Sequence, residues 1–213
     1  ASVDGINAIN ATSPVVTVTG NDSDISNVAL VNQTGTGVIV DGSNNNITDI
    51  VANGGERTTV DVTGNNNSIS DITADDHAGD VVDVTGGNND ISDVTATNNT
   101  NGTVVSADGD GNAISDVAAN GGEGTVVDAN GNNNNIEDVT ANDHAGDVVD
   151  VSGNDNNVGD VSATNNTDGS VVSVDGSNNG VNNVTADGGN GTIVDVKDGD
   201  NNTVSDVNAT NNH

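Results

Sequence analysis

Apolar residues recur along the chain at a fixed interval of 22 or 23 residues. A motif close to Ile-x-Asp-Val-x-Ala marks each interval. Its first residue lies at Ile25, Ile47, Ile69, Ile91, Ile114, Ile136, Val158, Val181 and Val204. A second motif, Val-Val-x-Val-x-Gly, lies between copies of the first, and residues 81–86 are an example with Asp at its third position. The interval covers nearly the whole chain, so the pattern predicts a repeat protein without an internal domain boundary.

Within each motif the apolar positions are two residues apart, which is the period of a β-strand. Val and Ile fill most of these positions, as they do in strands. Asn, Gly and Asp separate the apolar segments and favour turns, and their density excludes a helix. Each interval therefore predicts short strands joined by tight turns.

One such unit cannot bury its apolar face alone, but stacked units form a continuous core. Residues 22 or 23 apart would then lie on top of one another, ~4.8 Å apart. A narrow lumen also suits a core of Val, Ile and Ala. We therefore predict an all-β protein, a single-domain parallel β-helix over residues 1–213 with about nine coils and no helical caps.

At this level the chain resembles the right-handed parallel β-helix repeat family, which includes pectate-lyase-like and NosD-like surface proteins. Units such as residues 86–94, Gly-Gly-Asn-Asn-Asp-Ile-Ser-Asp-Val, carry the resemblance, and it covers almost the full length. The resemblance implies a right-handed coil and a secreted setting, and it carries no activity.

A longer period of 67 residues, or three coils, overlies the first. Residues 52–56, Ala-Asn-Gly-Gly-Glu, recur at residues 119–123, and residues 76–84 recur at residues 143–151. Recent duplication explains this super-repeat. The alternative is a lateral contact repeated every third coil, roughly 14 Å apart.

The charge of the chain limits its partners. Two basic residues stand against 33 acidic ones, which gives a net charge of −31, and there are no Cys, Met or aromatic residues. This composition excludes a nucleic-acid partner and disulfides, and it disfavours an anionic membrane surface. No run of 18 apolar residues predicts a membrane span. Such acidity is typical of halophilic organisms, archaea especially.

Stacking would bring acidic residues into columns. The third position of the first motif is Asn27, Asp49, Asp71, Asp93, Asp116, Asp138, Asp160, Asn183 and Asp206, and the second motif contributes Asp61, Asp83, Asp128, Asp150 and Asp195. Neighbouring carboxylates would repel by ~0.9 kcal/mol in water. Molar salt or bridging divalent cations would relieve this repulsion.

Calcium or another cation is therefore the one cofactor that we expect. The candidate metal ligands are Asp75, Asp76 and Asp80, with Asp143 and Asp147 in the matching loop one super-repeat later. Solvated acidic loops are the alternative. His77 and His144, at equivalent positions, are interpreted as polar surface residues rather than ligands.

Asparagine is abundant, and runs such as residues 132–135 predict a ladder of stacked amides. Several Asn residues also lie in Asn-x-Ser/Thr acceptor sequences. Asn32, Asn98 and Asn165 recur at the same loop type, so they are the candidate glycosylation sites if the protein is secreted.

The pattern predicts no capping element at either end, and the last coil stops at residues 209–213. Open ends of equal cross-section predict head-to-tail stacking of copies by strand addition. Tolerated frayed ends, or a separate capping partner, are the alternatives.

An enzyme is disfavoured, because Arg57 and Lys197 lie in distant coils and no aromatic residue could stack on a sugar. We expect an extracellular structural protein that polymerises into a surface fibre and also makes lateral fibre contacts. A monomeric cell-surface adhesin or cation-binding coat protein is the alternative. A polysaccharide lyase or hydrolase is the least favoured.

Overall fold

The computed structural model describes residues 1–213 and contains 22 β-strands in two parallel sheets, without any helix. The chain winds through about ten coils, each passing once through both sheets. The prediction of an all-β parallel solenoid is therefore confirmed.

Sheet A has 13 strands, because three of its coils are split in two at a bend. The unsplit strands are β1 (Ser2–Ile9), β3 (Asp24–Gln33), β5 (Asn46–Gly55), β7 (Ser68–His77), β18 (Asn157–Asn166), β20 (Gly180–Gly189) and β22 (Thr203–Asn212). The split coils contain β9 (Asp90–Ile91) and β10 (Val94–Asn99), β12 (Ala113–Ile114) and β13 (Val117–Gly122), and β15 (Asn135–Ile136) and β16 (Val139–Asn142).

Sheet B has nine shorter strands, one for each passage between sheet A strands. They are β2 (Val16–Thr19), β4 (Val38–Asp41), β6 (Val60–Thr63), β8 (Val82–Thr85), β11 (Val105–Asp108), β14 (Val127–Asn130), β17 (Val149–Ser152), β19 (Ser170–Asp175) and β21 (Thr192–Val196).

The register of both sheets follows the sequence period. Ile25 pairs with Ile47 and Ile47 with Ile69 in sheet A, while Val38 pairs with Val60 in sheet B. The inward side chains of both sheets form one cluster of 45 buried residues, and apart from Leu30 all of them are Val, Ile or Ala. Stacking of residues 22 or 23 apart is thus confirmed.

Three bends in each coil hold a residue at positive φ, a conformation that Asn, Asp and Gly tolerate best. Bend 1 lies inside the sheet A strand, bend 2 lies at its end, and bend 3 lies between the sheets. Bend 1 is Gly5, Asn27, Asp49, Asp71, Asp93, Asp116, Asp138, Asp160, Asn183 and Asp206; bend 2 is Asn10, Asn32, Gly54, Asp76, Asn98, Gly121, Asp143, Asn165, Gly188 and Asn211; bend 3 is Asp22, Asn44, Asn66, Asn88, Gly111, Asn133, Asp155, Asn178 and Asn201.

Two residues before bend 3, every coil has a glycine. Gly86 is typical: its φ is 139°, and a Cβ there would lie 2.0 Å from the carbonyl oxygen of Gly64. The coils approach so closely at this point that no side chain fits.

Candidate functional site

The first acidic column predicted from the sequence is bend 1, and it lines a groove on the outer surface. The groove has two segments of about 700 and 490 Å³, which both include Asp116 in their lining. Its carboxylates are Asp49, Asp71, Asp93, Asp116, Asp138 and Asp160. Thr73, Thr95 and Thr140 also line it. A row of carboxylates one strand spacing apart attracts cations, but the positive φ at bend 1 already explains why Asp and Asn occupy it.

The second acidic column lies on the outer face of sheet B. Asp61 pairs directly with Asp83, and Asp128 pairs with Asp150. Partial burial raises the pKa of the Asp61, Asp83 and Asp128 carboxyl groups. Neighbouring carboxylates raise the pKa of Asp83 and Asp128 further. Deprotonation of these side chains at neutral pH therefore opposes folding.

One ion pair is present in the structure, and it lies on this second column. Nζ of Lys197 is 3.9 Å from Oδ1 of Asp150. The two residues are two coils apart, because Lys197 follows β21 whereas Asp150 lies in β17. Both side chains are partly exposed, so the pair contributes at most about 1 kcal/mol to stability.

The candidate metal ligands form hydrogen bonds between coils. Oδ1 of Asp80 accepts a hydrogen bond from the Thr103 N–H at 2.7 Å, and Asp147 accepts one from Ser170 in the same way. Asp76 and Asp143 lie at bend 2, while Asp75 lies just before it in β7. No group of three or more His, Asp or Glu side chains is arranged to hold a metal ion. Calcium binding at these residues stays a prediction.

His77 and His144 are buried in the lumen, so their interpretation as surface residues is wrong. They are 2% and 1% exposed, respectively. Each follows a bend 2 residue, and the bend turns the next side chain inward. Nε2 of His77 lies 3.3 Å from the Thr59 hydroxyl, and Nε2 of His144 lies 2.5 Å from the Gly124 carbonyl oxygen. Burial lowers the pKa of the His77 imidazole.

These histidines belong to a polar column inside the lumen that the sequence analysis missed. The column is Gln33, Gly55, His77, Asn99, Gly122, His144, Asn166, Gly189 and Asn212. An amide, a glycine and a larger polar side chain follow one another every three coils. This order matches the 67-residue super-repeat and is the signal that could have revealed the column.

The predicted asparagine ladder is present on the inner side of bend 3. In each step a backbone N–H donates to Oδ1 of the Asn one coil later, over 2.7–2.9 Å. The ladder runs through Ser23, Asn45, Asn67, Asn89, Asn112, Asn134, Asn156, Asn179 and Asn202. The abundance of Asn here is therefore structural.

The two end faces of the solenoid expose residues of the apolar columns. On the last coil Val204 and Val207 are 45% and 41% exposed, although Val181 and Val184, one coil earlier, are 3% and 0% exposed. On the first coil Val3, Ile6 and Ala8 are partly buried. Strand β1 pairs only with β3, and β22 pairs only with β20, so each presents a free edge.

Comparisons with models of protein families, with curated proteins and with solved structures found no match. Among the described residues there is no helix with the length and apolar character that crossing a membrane requires. Function is therefore inferred from the geometry of the chain itself.

Proposed function

We propose that the protein is an extracellular structural protein whose copies stack head-to-tail into a surface fibre. The observation that carries this proposal is the exposure of Val204 and Val207 on the last coil. Their columns are closed everywhere else along the solenoid. Covering them with another coil would recover about 25 cal/mol for each Å² of apolar surface removed from water.

The two end faces are complementary in register. Val3, Ile6 and Ala8 of β1 occupy the same columns as Val204, Val207 and Ala209 of β22. Strand β1 of a second copy can therefore follow β22 as a parallel strand, with Val3 over Val204. The free backbone groups of two edge strands would pair in this contact.

The contact joins two different surfaces of the same molecule. A heterologous contact of this kind repeats without closing when no rotation brings the chain of copies back to its start. The expected product is a fibre one solenoid wide, with a continuous sheet A. Its role would be mechanical and surface-forming, without a catalytic step.

The charge of the subunit supports a high-salt setting. Each copy carries a net charge of −31, so copies repel one another in dilute buffer. At 1 M salt the screening length falls to about 3 Å, which removes most of this repulsion. An origin in a halophilic organism and a relationship to surface β-helix proteins would both fit such an assembly.

The direct test is sedimentation and electron microscopy of the purified protein between about 0.1 and 3 M salt. We expect polymers that lengthen with salt and concentration and appear as thin fibres. The double variant Val204→Asp/Val207→Asp should remain monomeric, because it places charge on the end face. Asn208→Asp adds a charge to the outer surface of the same strand and should still polymerise.

Two results would refute this proposal. One is a monomer at every salt and protein concentration, and the other is fibre formation that the double variant leaves unchanged. Discrete short rods would favour the alternative function, a monomeric adhesin or cation-binding coat protein. The observation that favours this alternative is the carboxylate groove along bend 1.

A further inference from the structure

Three acceptor asparagines lie in a row on one outer edge of the solenoid. Asn32, Asn98 and Asn165 all occupy bend 2, at φ values of 52°, 54° and 56°. All three side chains are exposed, and so are the threonines two residues later, Thr34, Thr100 and Thr167. The three sites are three coils apart, or roughly 14 Å along the axis.

The coil that follows each of these asparagines places a glycine next to the carboxamide. A Cβ on Gly54, Gly121 or Gly188 would lie 2.7, 2.9 or 2.7 Å from Oδ1 of Asn32, Asn98 or Asn165. Any side chain at the glycine would therefore crowd the amide.

Backbone conformation alone does not explain these glycines. Their φ values, 68°, 71° and 69°, lie near the values that Asn and Asp adopt elsewhere in bend 2. The other acceptor asparagines at bends, Asn10, Asn66 and Asn183, are followed one coil later by Asn32, Asn88 and Asp206. Only the three-coil set is left uncovered in this way by the coil that follows.

The coil that precedes two of these asparagines orients the amide. Nδ2 of Asn98 donates a hydrogen bond to Oδ1 of Asp76, and Nδ2 of Asn165 donates one to Asp143, both over 3.0 Å. The carboxamide is thus held at the surface, with its free side facing the glycine.

We propose that Asn32, Asn98 and Asn165 carry N-linked glycans, which form a row along the bend 2 edge. The sugar donor would be an oligosaccharide linked through pyrophosphate to a lipid. A bond forms between Asn Nδ2 and C1 of the sugar, while the bond from C1 to the pyrophosphate oxygen breaks. Nδ2 loses one proton, and the lipid pyrophosphate leaves. The inference depends on the extracellular setting proposed above and is independent of fibre formation.

The test is to secrete the full chain from a host that performs Asn-linked glycosylation and to measure occupancy at every acceptor by glycopeptide mass spectrometry. We expect the highest occupancy at Asn32, Asn98 and Asn165. The variant Gly121→Asn should lower occupancy at Asn98 several-fold and leave Asn165 unchanged. Asn is native to this bend, and the change creates no new acceptor because Glu123 follows two residues later.

The reciprocal variant Gly188→Asn is the matched control and should lower occupancy at Asn165 alone. Absence of glycans from the three sites, higher occupancy at Asn66 or Asn183, or an unchanged Asn98 in Gly121→Asn would each overturn the inference. Fibre formation is measured separately, so a fibre without glycans refutes only this inference. Glycans without fibres would refute only the proposed function.

Discussion

Gly55 and His77 share one place in the lumen. They are paired in neighbouring strands, and a Cβ on Gly55 would lie 2.6 Å from both Nδ1 and Cε1 of His77. The imidazole therefore leans over the coil beneath it, into space that only glycine leaves free. A three-coil unit of lumen packing thus accompanies the 67-residue super-repeat, in addition to any history of duplication.

Gly55→Ala should destabilise the protein by about 1–3 kcal/mol, because the added methyl group overpacks the lumen against the imidazole. The same substitution should cost at least about 0.5 kcal/mol less in a His77→Asn background, since contacting residues couple. Asn already occupies this column at Asn99 and Asn166. Denaturant unfolding of the four proteins measures the coupling, and equal costs in both backgrounds would contradict the shared space.

The His77 imidazole should make the fold sensitive to acid. Burial lowers its pKa from the ordinary value of 6.5, so the folded state holds it neutral while the unfolded chain takes up a proton. Its contribution to stability is full above pH 6.5. It is lost as the pH falls through the lowered pKa, by at most about 1.4 kcal/mol for each pH unit.

The check is the free energy of unfolding between pH 8 and pH 5 in the native protein and in His77→Asn. The variant should lose less stability over this range, while the carboxyl groups contribute equally to both. His213→Asn, which changes an exposed histidine, serves as the control and should follow the native curve. Parallel curves for the native protein and His77→Asn would show that the imidazole is not linked to folding.

Asp93 should be required for its backbone conformation rather than for its charge. Its φ is 53°, so Asp93→Ala should cost about 1–2 kcal/mol. Asp93→Asn should be neutral or slightly stabilising, because Asn27 and Asn183 occupy the same bend and a like-charge contact is removed. Thr95→Ala, on the outer face beyond the bend, should change stability by less than about 0.5 kcal/mol. Thermal unfolding ranks the three variants, and a large loss in Asp93→Asn would argue for a bound cation instead.

Asn112 should be a strong point of the inner ladder. Its Oδ1 accepts the Asn89 N–H at 2.8 Å, and its Nδ2 donates to the carbonyl oxygens of Gly86 and Gly109. Asn112→Ala leaves these buried groups without partners, which should cost about 1–3 kcal/mol. The exposed Asn142→Ala is the control for loss of an amide, and a similar cost in both variants in urea unfolding would rule out a special role for the ladder.

The stacking of Ile25, Ile47 and Ile69 could be predicted because strand period and coil length are both encoded locally. A side chain that alternates in and out and returns after 22 residues has few other ways to be buried. The bends were also within reach, because the column that begins Gly5, Asn27 and Asp49 contains only residues that tolerate positive φ. Its acidity drew attention to cations instead.

The placement of His77 could not be read in the same way. Alternation specifies the facing of a side chain only while the strand stays straight, and the left-handed residue Asp76 resets it by turning the next side chain inward. Repeating Val and Ile positions therefore determined the solenoid and its register. Only the folded coil decided which polar residues became lumen and which became surface, because that depends on where the backbone bends and on what the neighbouring coil leaves open.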